Sequence, residues 1–437
     1  MKSPTSRPTL SSQVQITLEE RGIGRNKVAI RRGILVDRNT GLLHELPTVF
    51  VLRSLGKNPL NTQLTTLFDL AFYVEWACIK AARSKRWPRP EDRIRSNRLA
   101  LTHKEIDDLA NWCQHAATNI SSAAGHEEAG IRVLPLTGSS VEGATTNRRL
   151  QTICNYLCWL TRDMVEGDLL LDDRQIAKSA KFQESLKKSF DSSFISAKTP
   201  PPIASLNRAN AAAFRKLVNV EAADHSEHVI RDNLIGRILL ATGLRAGELL
   251  KIQCQDLDPN FEIEPGRFIA ILKVIKRPND INDERLLEPS SKTLPGPIVI
   301  GRTLAAEIIQ YVVGERRSAV DRCFSKIETP YLFVSHSGAQ AGHPLSYSNL
   351  RRIVSKLGDA SSLSTPLRPH TLRHTHFTEL RELMFKKRAD PKEALRILQE
   401  RGHWSPKSTM PDHYSQRHLT ERQAYYVEER DRILDKR

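Results

Sequence analysis

The sequence predicts a mainly α-helical protein with a small β-sheet, which is an α+β fold class. Apolar residues recur at helical spacing over most of the chain, and strand-like apolar runs are confined to a few short segments. The length of 437 residues exceeds what one hydrophobic core usually serves. We therefore expect two or more domains, each with a core of its own.

Residues 1–54 are predicted to form an N-terminal arm that is partly β and partly disordered. Its first twelve residues are rich in Ser, Thr and Pro, a composition typical of loose chain ends. Val14–Leu18 and Lys27–Ile30 have the pattern of short strands, separated by a turn at Gly22 and Gly24.

Residues 55–170 are predicted to form a helical domain. Leu67–Ile79 and Leu150–Leu160 carry apolar residues at helical spacing, and Thr102 is positioned to cap a helix together with Glu105. The Thr- and Pro-rich end of the next segment cannot continue a helix, so residues 171–202 are predicted to be an interdomain linker.

Residues 203–437 are predicted to form a second domain, mainly helical with a small sheet. Two apolar segments, Phe268–Ile275 and Gly296–Ile300, have the character of strands. The predicted helices of this domain are 207–218, 228–241, 304–313, 346–357, 372–384 and 419–434.

The net charge indicates a polyanionic partner. Lys and Arg number 66 against 50 Asp and Glu, a balance of +16. A surplus of this size is commonly matched to nucleic acid, although ribosome-associated and membrane-surface proteins can be equally basic. The candidate DNA-binding residues on the helical domain are Lys80, Arg83, Lys85, Arg86, Arg148 and Arg149.

The cysteines favour a reducing compartment. Six are scattered without the paired spacing of a zinc site or a disulfide framework, and Cys154 and Cys158 fit two buried positions on one helix face. We find no secretory signal and no run long enough to span a bilayer. We expect a cytoplasmic protein with no metal site and no membrane association.

Two segments combine cationic side chains in a pattern typical of an anion site. His370 and Arg373 are three residues apart, so on a helix they share one face. Arg245 follows Gly243 within an apolar stretch, where an unpaired guanidinium is costly. Two such arginines imply an anion between them.

A DNA phosphodiester is an anion that such residues can cleave. Its cleavage requires neutralised nonbridging oxygens, a nucleophile and a proton for the leaving 5'-oxygen. Arginine suits the first task because its planar fork donates two hydrogen bonds to phosphate. Tyrosine has an intrinsic pKa near about 10 and becomes a nucleophile when cations stabilise its phenolate. The arginines could do this for Tyr414.

From about residue 203 to 430 the sequence resembles the tyrosine recombinase, or phage integrase, family. The stretch 241–250 resembles the first arginine motif of that family, which assigns Arg245, and 370–375 resembles its His-x-x-Arg box, which assigns His370 and Arg373. The stretch 398–405 resembles the Leu-Gly-His segment, in which His403 takes the histidine position, and Tyr414 follows where the nucleophile is expected.

The resemblance implies a helical core-binding domain before the catalytic domain and cleavage through a 3'-phosphotyrosyl link without cofactor, metal or ATP. It also implies a hairpin lysine that protonates the leaving oxygen, for which we select Lys292, with Lys273 and Lys276 as alternatives. Double-stranded DNA is the implied partner, bound by four protomers in which the C-terminal helix packs on a neighbour, with possible accessory recombination proteins.

Several alternatives stay open from the sequence. Tyr425 and Tyr426 compete with Tyr414, and Pro406 and Pro411 predict a break in the short helix before Tyr414. Glu248 and His374 are candidates for residues that support the site. The rival functions are a type IB topoisomerase-like activity and a non-catalytic DNA-binding accessory protein; the long N-terminal region favours a mobile-element enzyme.

Overall fold

The structure is a computed structural model. It describes residues 12–21, 28–84, 86–96, 98–115, 140–166, 173–197, 205–219, 226–291, 293–323, 328–363 and 366–434. The chain divides into two compact units, an N-terminal unit up to Pro200 and a C-terminal unit from Pro201. Within the described ranges, no helix is both long and apolar enough to cross a membrane.

The N-terminal unit consists of a two-stranded sheet and a group of helices around one core. Leu67, Leu70, Tyr156 and Leu157 are almost fully buried in this core. The predicted capping box is confirmed: Thr102 accepts from the amide of Glu105, whose carboxylate accepts from the amide of Thr102. The elements are β1 (Ser12–Arg21), β2 (Val28–Asp37), α1 (Glu45–Leu55), α2 (Leu60–Arg83), α3 (Pro90–Arg95), α4 (His103–Cys113), α5 (Gly143–Glu166) and α6 (Asp173–Ser192).

Helix α6 corrects the prediction that residues 171–202 are a linker. The segment is lysine-rich, but Leu186 and Phe190 lie one turn apart and are both buried in the core of the N-terminal unit. A few apolar residues at helical spacing are enough to dock an otherwise polar helix, since packing of one face supplies most helix stability. Most of the predicted linker is therefore part of the N-terminal unit.

The C-terminal unit combines helices with a three-stranded antiparallel sheet of order β3-β4-β5. Ala270, Leu272 and Ile298 of the sheet pack on Ile238 and Leu239 of a central helix. The elements are α7 (Arg208–Val218), α8 (Glu227–Thr242), α9 (Ala246–Lys251), β3 (Leu257–Glu264), β4 (Arg267–Val274), β5 (Gly296–Ile300), α10 (Arg302–Val313), α11 (Glu315–Asp321), α12 (Tyr347–Ala360), α13 (Pro369–Lys386), α14 (Pro391–Arg401), α15 (Met410–Tyr414) and α16 (Gln416–Leu434).

The mainly α fold with a small sheet is confirmed, but β3 was not predicted. Its sequence contains Pro259 and four acidic or amide side chains, and its residues are half-buried or exposed. The strand forms because its backbone pairs with β4. A turn at Gly266, where φ is +78°, joins the two antiparallel strands. Edge strands of this kind carry little apolar periodicity for a sequence to show.

Arg149 is part of the core of the N-terminal unit, which corrects its prediction as a DNA contact. Its side chain is 7% exposed, lies over the ring of Phe72 at 3.6 Å, and donates from Nη1 to the carbonyls of Cys113 and His115 at 2.7 and 2.8 Å. The guanidinium therefore closes the end of α4 on α5. Charge spacing on a helix does not distinguish such an arginine from an exposed one.

We predict that Arg149→Met lowers the free energy of unfolding by about 2–3 kcal/mol, because two buried carbonyls lose their donor. Urea unfolding followed by tryptophan fluorescence measures the change, since four of the five tryptophans lie in the N-terminal unit. Arg53→Met is the matched control: its pair with Asp163 is exposed, and we expect a loss below about 1 kcal/mol. Equal losses in both variants would contradict this role of Arg149.

Candidate active site

The turn between α8 and α9 positions Arg245. Helix α8 ends at Gly243, which has a φ of +68°, and a Cβ there would lie 2.6 Å from Cδ2 of His376. Only glycine fits this left-handed position next to a packed side chain. The chain then reverses, and Arg245 precedes the first turn of α9.

The carboxylate of Glu248 connects the arginines of the site. It is almost completely buried and accepts from the backbone amide of Arg245 at 2.8 Å and from Nη1 of Arg245 at 3.3 Å. Nη1 of Arg373 lies 3.8 Å from Oε2 of Glu248, and the hydroxyl of Thr293 donates to Oε1. A buried carboxylate with these partners holds two guanidinium groups in one place.

Arg373, on α13, is as deeply buried as Glu248, with 2% of its surface exposed. It donates to the carbonyl of Gly243 at 2.6 Å and to that of Gly402 at 3.1 Å. Burial, with Arg245 nearby, lowers the pKa of its guanidinium to about 10, so it stays charged at neutral pH. Three rings lie 4.9 Å from its central carbon, those of Phe377, Trp404 and Tyr414.

Tyr414 lies at the end of α15 with its ring buried against Trp404, 5.1 Å between centroids. Its hydroxyl is 3.3 Å from Nε2 of His370. Burial, together with Arg373 and Arg245, lowers the pKa of His370 to about 4. The imidazole is therefore neutral at pH 7 and can accept the phenol proton.

The predicted break before Tyr414 is wrong with respect to Pro411. This proline occupies the first turn of α15, where its missing N–H would have no helical partner in any case. Pro411 thus begins the short helix. Tyr425 and Tyr426, by contrast, are about half exposed on α16.

Two further histidines contact this cluster. The ring of His374 lies 4.4 Å from that of Tyr414, and burial lowers its pKa to about 3. His403 has a φ of +52°, and its ring packs on Gly296 at the start of β5. Burial lowers the pKa of His403, while the charge of Glu248 acts in the opposite direction.

Lys292, selected as the hairpin lysine, lies outside the described residues. Its neighbours are close to the arginines: Thr293 donates to Glu248, and the carbonyl of Ser290 lies against Gly247. The alternative Lys273 pairs with Asp258 at 3.4 Å on the neighbouring strand, and Lys276 is exposed just after β4.

The candidate DNA contacts of the N-terminal unit fall into different environments. Lys80 pairs with Asp108 at 2.9 Å, and Arg148 pairs with Asp69 at 3.1 Å. Arg83 and Arg86 are exposed, and Lys85 lies outside the described residues. Their role in DNA binding stays a prediction.

Sequence reasoning missed Arg401 and His376. Arg401 donates to the carbonyls of Ala241 and Val299 and, at 3.4 Å, to Nε2 of His376. Arg401 therefore connects the end of α8, strand β5 and helix α13. It does so from the position directly before Gly402 and His403. The sequence offered one signal for Arg401, namely its position directly before Gly402 and His403.

Four buried polar atoms of the site have no hydrogen-bond partner among the described residues. They are Nε of Arg373, Nε2 of His374, Nε2 of His403 and Nε1 of Trp404. Unsatisfied buried donors are rare in folded proteins, and where they cluster around a guanidinium they fit an anionic ligand. The described residues contain no group of three or more His, Cys, Asp or Glu side chains that could hold a metal ion.

Comparison with known proteins shows that the segment carrying most of this site is similar to a known family. The sequence model of the Phage integrase family matches residues 301–419, which include His370, Arg373, His403 and Tyr414. This part of the chain is similar to the Phage integrase family. The family match does not extend to Arg245, which the fold brings to the same cluster through Glu248.

Individual relatives are similar over part of their length. Tyrosine recombinase XerD of Listeria innocua is 28% identical over 153 residues, which cover 35% of this chain and 42% of XerD. Transposase A from transposon Tn554 of Staphylococcus aureus is 26% identical over 160 residues, 35% of this chain and 37% of the transposase. The chain thus spans about two fifths of the length of these curated relatives.

Among solved structures, the Tn1549 transposon integrase (residues 82–397), in complex with circular intermediate DNA, is similar over 80% of this chain and 98% of that one. The sequence identity is 18% and the TM-score 0.41.

We predict that the C-terminal unit loses stability in mild acid. His370 is half-buried and His374 is buried, and both are neutral, with pKa values lowered to about 4 and about 3. Their contribution is fully present above the unfolded pKa of about 6.5 and is lost as the pH falls, because only the unfolded chain binds the proton. Each histidine adds up to about 1.4 kcal/mol per pH unit to this slope.

Urea unfolding followed by circular dichroism at pH 6.5, 5.5 and 4.5 measures the slope. The variant His374→Phe lacks one of these protonation sites, and we expect its slope to be smaller by up to about 1.4 kcal/mol per pH unit. A slope unchanged by this substitution would show that His374 is not buried in its neutral form.

Proposed function

We propose that this protein is a site-specific DNA recombinase that cleaves and rejoins DNA through a 3'-phosphotyrosyl intermediate at Tyr414. One observation carries the proposal: the hydroxyl of Tyr414 bonds to a neutral His370, and its ring borders the buried guanidinium of Arg373. A nucleophile, a base and a phosphate ligand thus share one buried cluster.

Arg245 and Arg373 neutralise the nonbridging oxygens of the phosphate. Arg373 remains charged at neutral pH, and Glu248 keeps the two arginines together with a single negative charge. Because the site excludes water, each hydrogen bond to the developing negative charge is stronger than in solvent. The free Nε of Arg373 supplies one such donor, and His403 supplies a second when its Nε2 carries the proton.

In the cleavage step the phenolic oxygen of Tyr414 attacks phosphorus and gives its proton to Nε2 of His370. The bond from phosphorus to the 5'-oxygen breaks, and that oxygen takes a proton from the hairpin lysine. We propose Lys292 for this proton, with Lys273 and Lys276 as alternatives. The reverse attack by a 5'-hydroxyl rejoins the strand, so the step needs neither metal nor ATP.

The surplus of cationic residues and the likeness to recombinases and a transposase support double-stranded DNA as the partner. We propose a core-binding domain at about 55–170, with α6 packed in its core, and a catalytic domain at 203–437. We propose that they act as a tetramer on two sites in the cytoplasm, with accessory proteins in some reactions. Likeness to Transposase A from a transposon supports a mobile-element role.

A type IB topoisomerase-like activity uses the same chemistry in a monomer and is the second candidate. The presence of Arg245, His370, Arg373, His403 and Tyr414 together disfavours a non-catalytic DNA-binding role, since a binding protein needs no buried nucleophile.

We predict that the protein forms a covalent adduct on a nicked suicide duplex whose sequence spans the DNA junctions flanking its gene. Loss of the short fragment prevents rejoining, so the adduct accumulates and is measured as a shifted band on a denaturing gel. Tyr414→Phe removes the nucleophile, and we expect no adduct, whereas DNA binding by gel shift stays within about twofold.

Tyr425→Phe and Tyr426→Phe are matched controls, since both tyrosines are exposed on α16. An adduct that persists in Tyr414→Phe and disappears in either control would overturn the nucleophile assignment. Sequence-independent relaxation of supercoiled plasmid would favour the topoisomerase, and loss of cleavage with chelator would contradict the metal-free mechanism.

A further inference from the structure

The connection between β4 and β5 is the long segment from residue 275 to 295, and its described residues fold onto helix α9. We name this segment the anchored loop. Helix α9 is only six residues long, with Arg245 and Glu248 at its start and Lys251 at its end. The anchored loop contacts both ends of this helix.

Lys251 is the main attachment at the end of α9. Its side chain is 4% exposed, and its Nζ lies 2.9 Å from Oδ2 of Asp283 and in contact with Oε1 of Glu288. The same nitrogen donates to the carbonyl of Arg277 at 3.0 Å. A buried ammonium that donates to three oxygens of one loop fixes that loop with defined geometry.

Arg285 provides a second attachment. Its Nε and Nη2 donate to the two oxygens of Asp283, and its Nη1 donates to the carbonyls of Leu250 and Leu345 at 3.1 and 3.0 Å. The guanidinium lies 4.5 Å from the ring of Tyr331. Burial raises the pKa of Asp283, but Arg285 and Lys251 outweigh this and lower it, so the carboxylate is charged.

Glu288 also closes the anchored loop on itself. Its carboxylate accepts from the amides of Asn279 and Asp280 at 3.2 and 3.3 Å, and Asn279 has a φ of 55°. A glutamate that caps two amides and pairs with Lys251 couples the shape of the loop to its attachment on α9.

The far end of the anchored loop meets the start of α9. A Cβ on Gly247 would collide with the carbonyl oxygen of Ser290, so the two backbones are in direct contact. Thr293 donates to Glu248. The residues on both sides of position 292 are therefore fixed on the helix that begins beside Arg245.

We propose that Lys251 and Glu288 are positioning residues that hold the anchored loop on α9 and thereby set where the leaving-group acid acts. This inference rests on the proposed function, because it takes Lys292 as that acid. The loop is attached through residues 251, 283, 285 and 288.

The test compares two leaving groups with the double variant Lys251→Met/Glu288→Gln. This variant removes one positive and one negative charge and leaves Asp283 paired with Arg285, so no buried charge is left alone. One suicide duplex carries the natural 5'-oxygen and the other a 5'-bridging sulfur, whose thiolate leaves without a proton. The measured quantity is the single-turnover rate of adduct formation.

We expect the double variant to cleave the oxygen duplex at least about tenfold more slowly than the unmodified protein, since a positioned general acid contributes about 100-fold or more. On the sulfur duplex we expect rates within about threefold. We expect Gly247→Ala, which changes no charge, also to slow cleavage of the oxygen duplex and to leave cleavage of the sulfur duplex nearly unchanged, because the added methyl displaces Ser290. The control Arg231→Met/Asp232→Asn removes a buried pair on α8 and leaves both rates within about twofold.

Equal rates of the double variant and the unmodified protein on the oxygen duplex would overturn the inference. Equal losses on both duplexes would overturn it as well, since they indicate damage to the phosphate ligands or to the fold. Failure of the proposed function gives a different result. In that case the unmodified protein would form no adduct on either duplex, or the sulfur duplex would not restore the cleavage rate of Lys292→Ala.

Discussion

The buried charge of Arg373 is the constraint on which the catalytic arrangement depends. A guanidinium with 2% of its surface exposed is costly without partners, and here the carbonyls of Gly243 and Gly402 accept from Nη1 and Nη2, which leaves Nε for a ligand. These two glycines belong to different turns, one before Arg245 and one before His403. Satisfying a single charge therefore brings the arginine, histidine and tyrosine segments together.

The other features of the site follow from this arrangement. Glu248 balances the charge of two arginines, and Trp404 and Tyr414 cover Arg373 with aromatic faces, an interaction worth about 0.5–2 kcal/mol per ring. Partial burial, together with the charges of Arg373 and Arg245, keeps His370 neutral, so that it can accept the proton of Tyr414. Burial thus stabilises the site and also tunes its proton transfer.

The sequence was sufficient for the fold class and for the spacing of the central motifs, because these depend on local periodicity and on charged side chains in apolar surroundings. It was insufficient where tertiary contacts override local signals. Helix α6 is polar but docks through Leu186 and Phe190, and Pro411 begins a helix that it was expected to interrupt. Arg401 lies next to Gly402 and His403 in the sequence, but the carbonyls to which it donates are distant in the chain, so a local pattern cannot show these contacts.

The central claim is that Tyr414 and Arg373 act on one phosphate. It is tested most directly by a crystal structure of the protein with vanadate and DNA strands that end in 3'- and 5'-hydroxyls at the cleavage position. We predict a five-coordinate vanadate bonded to Oη of Tyr414, with oxygens that accept from Arg245 and from Nε of Arg373. A vanadate bonded to another tyrosine, or one that Arg373 does not contact, would contradict the account.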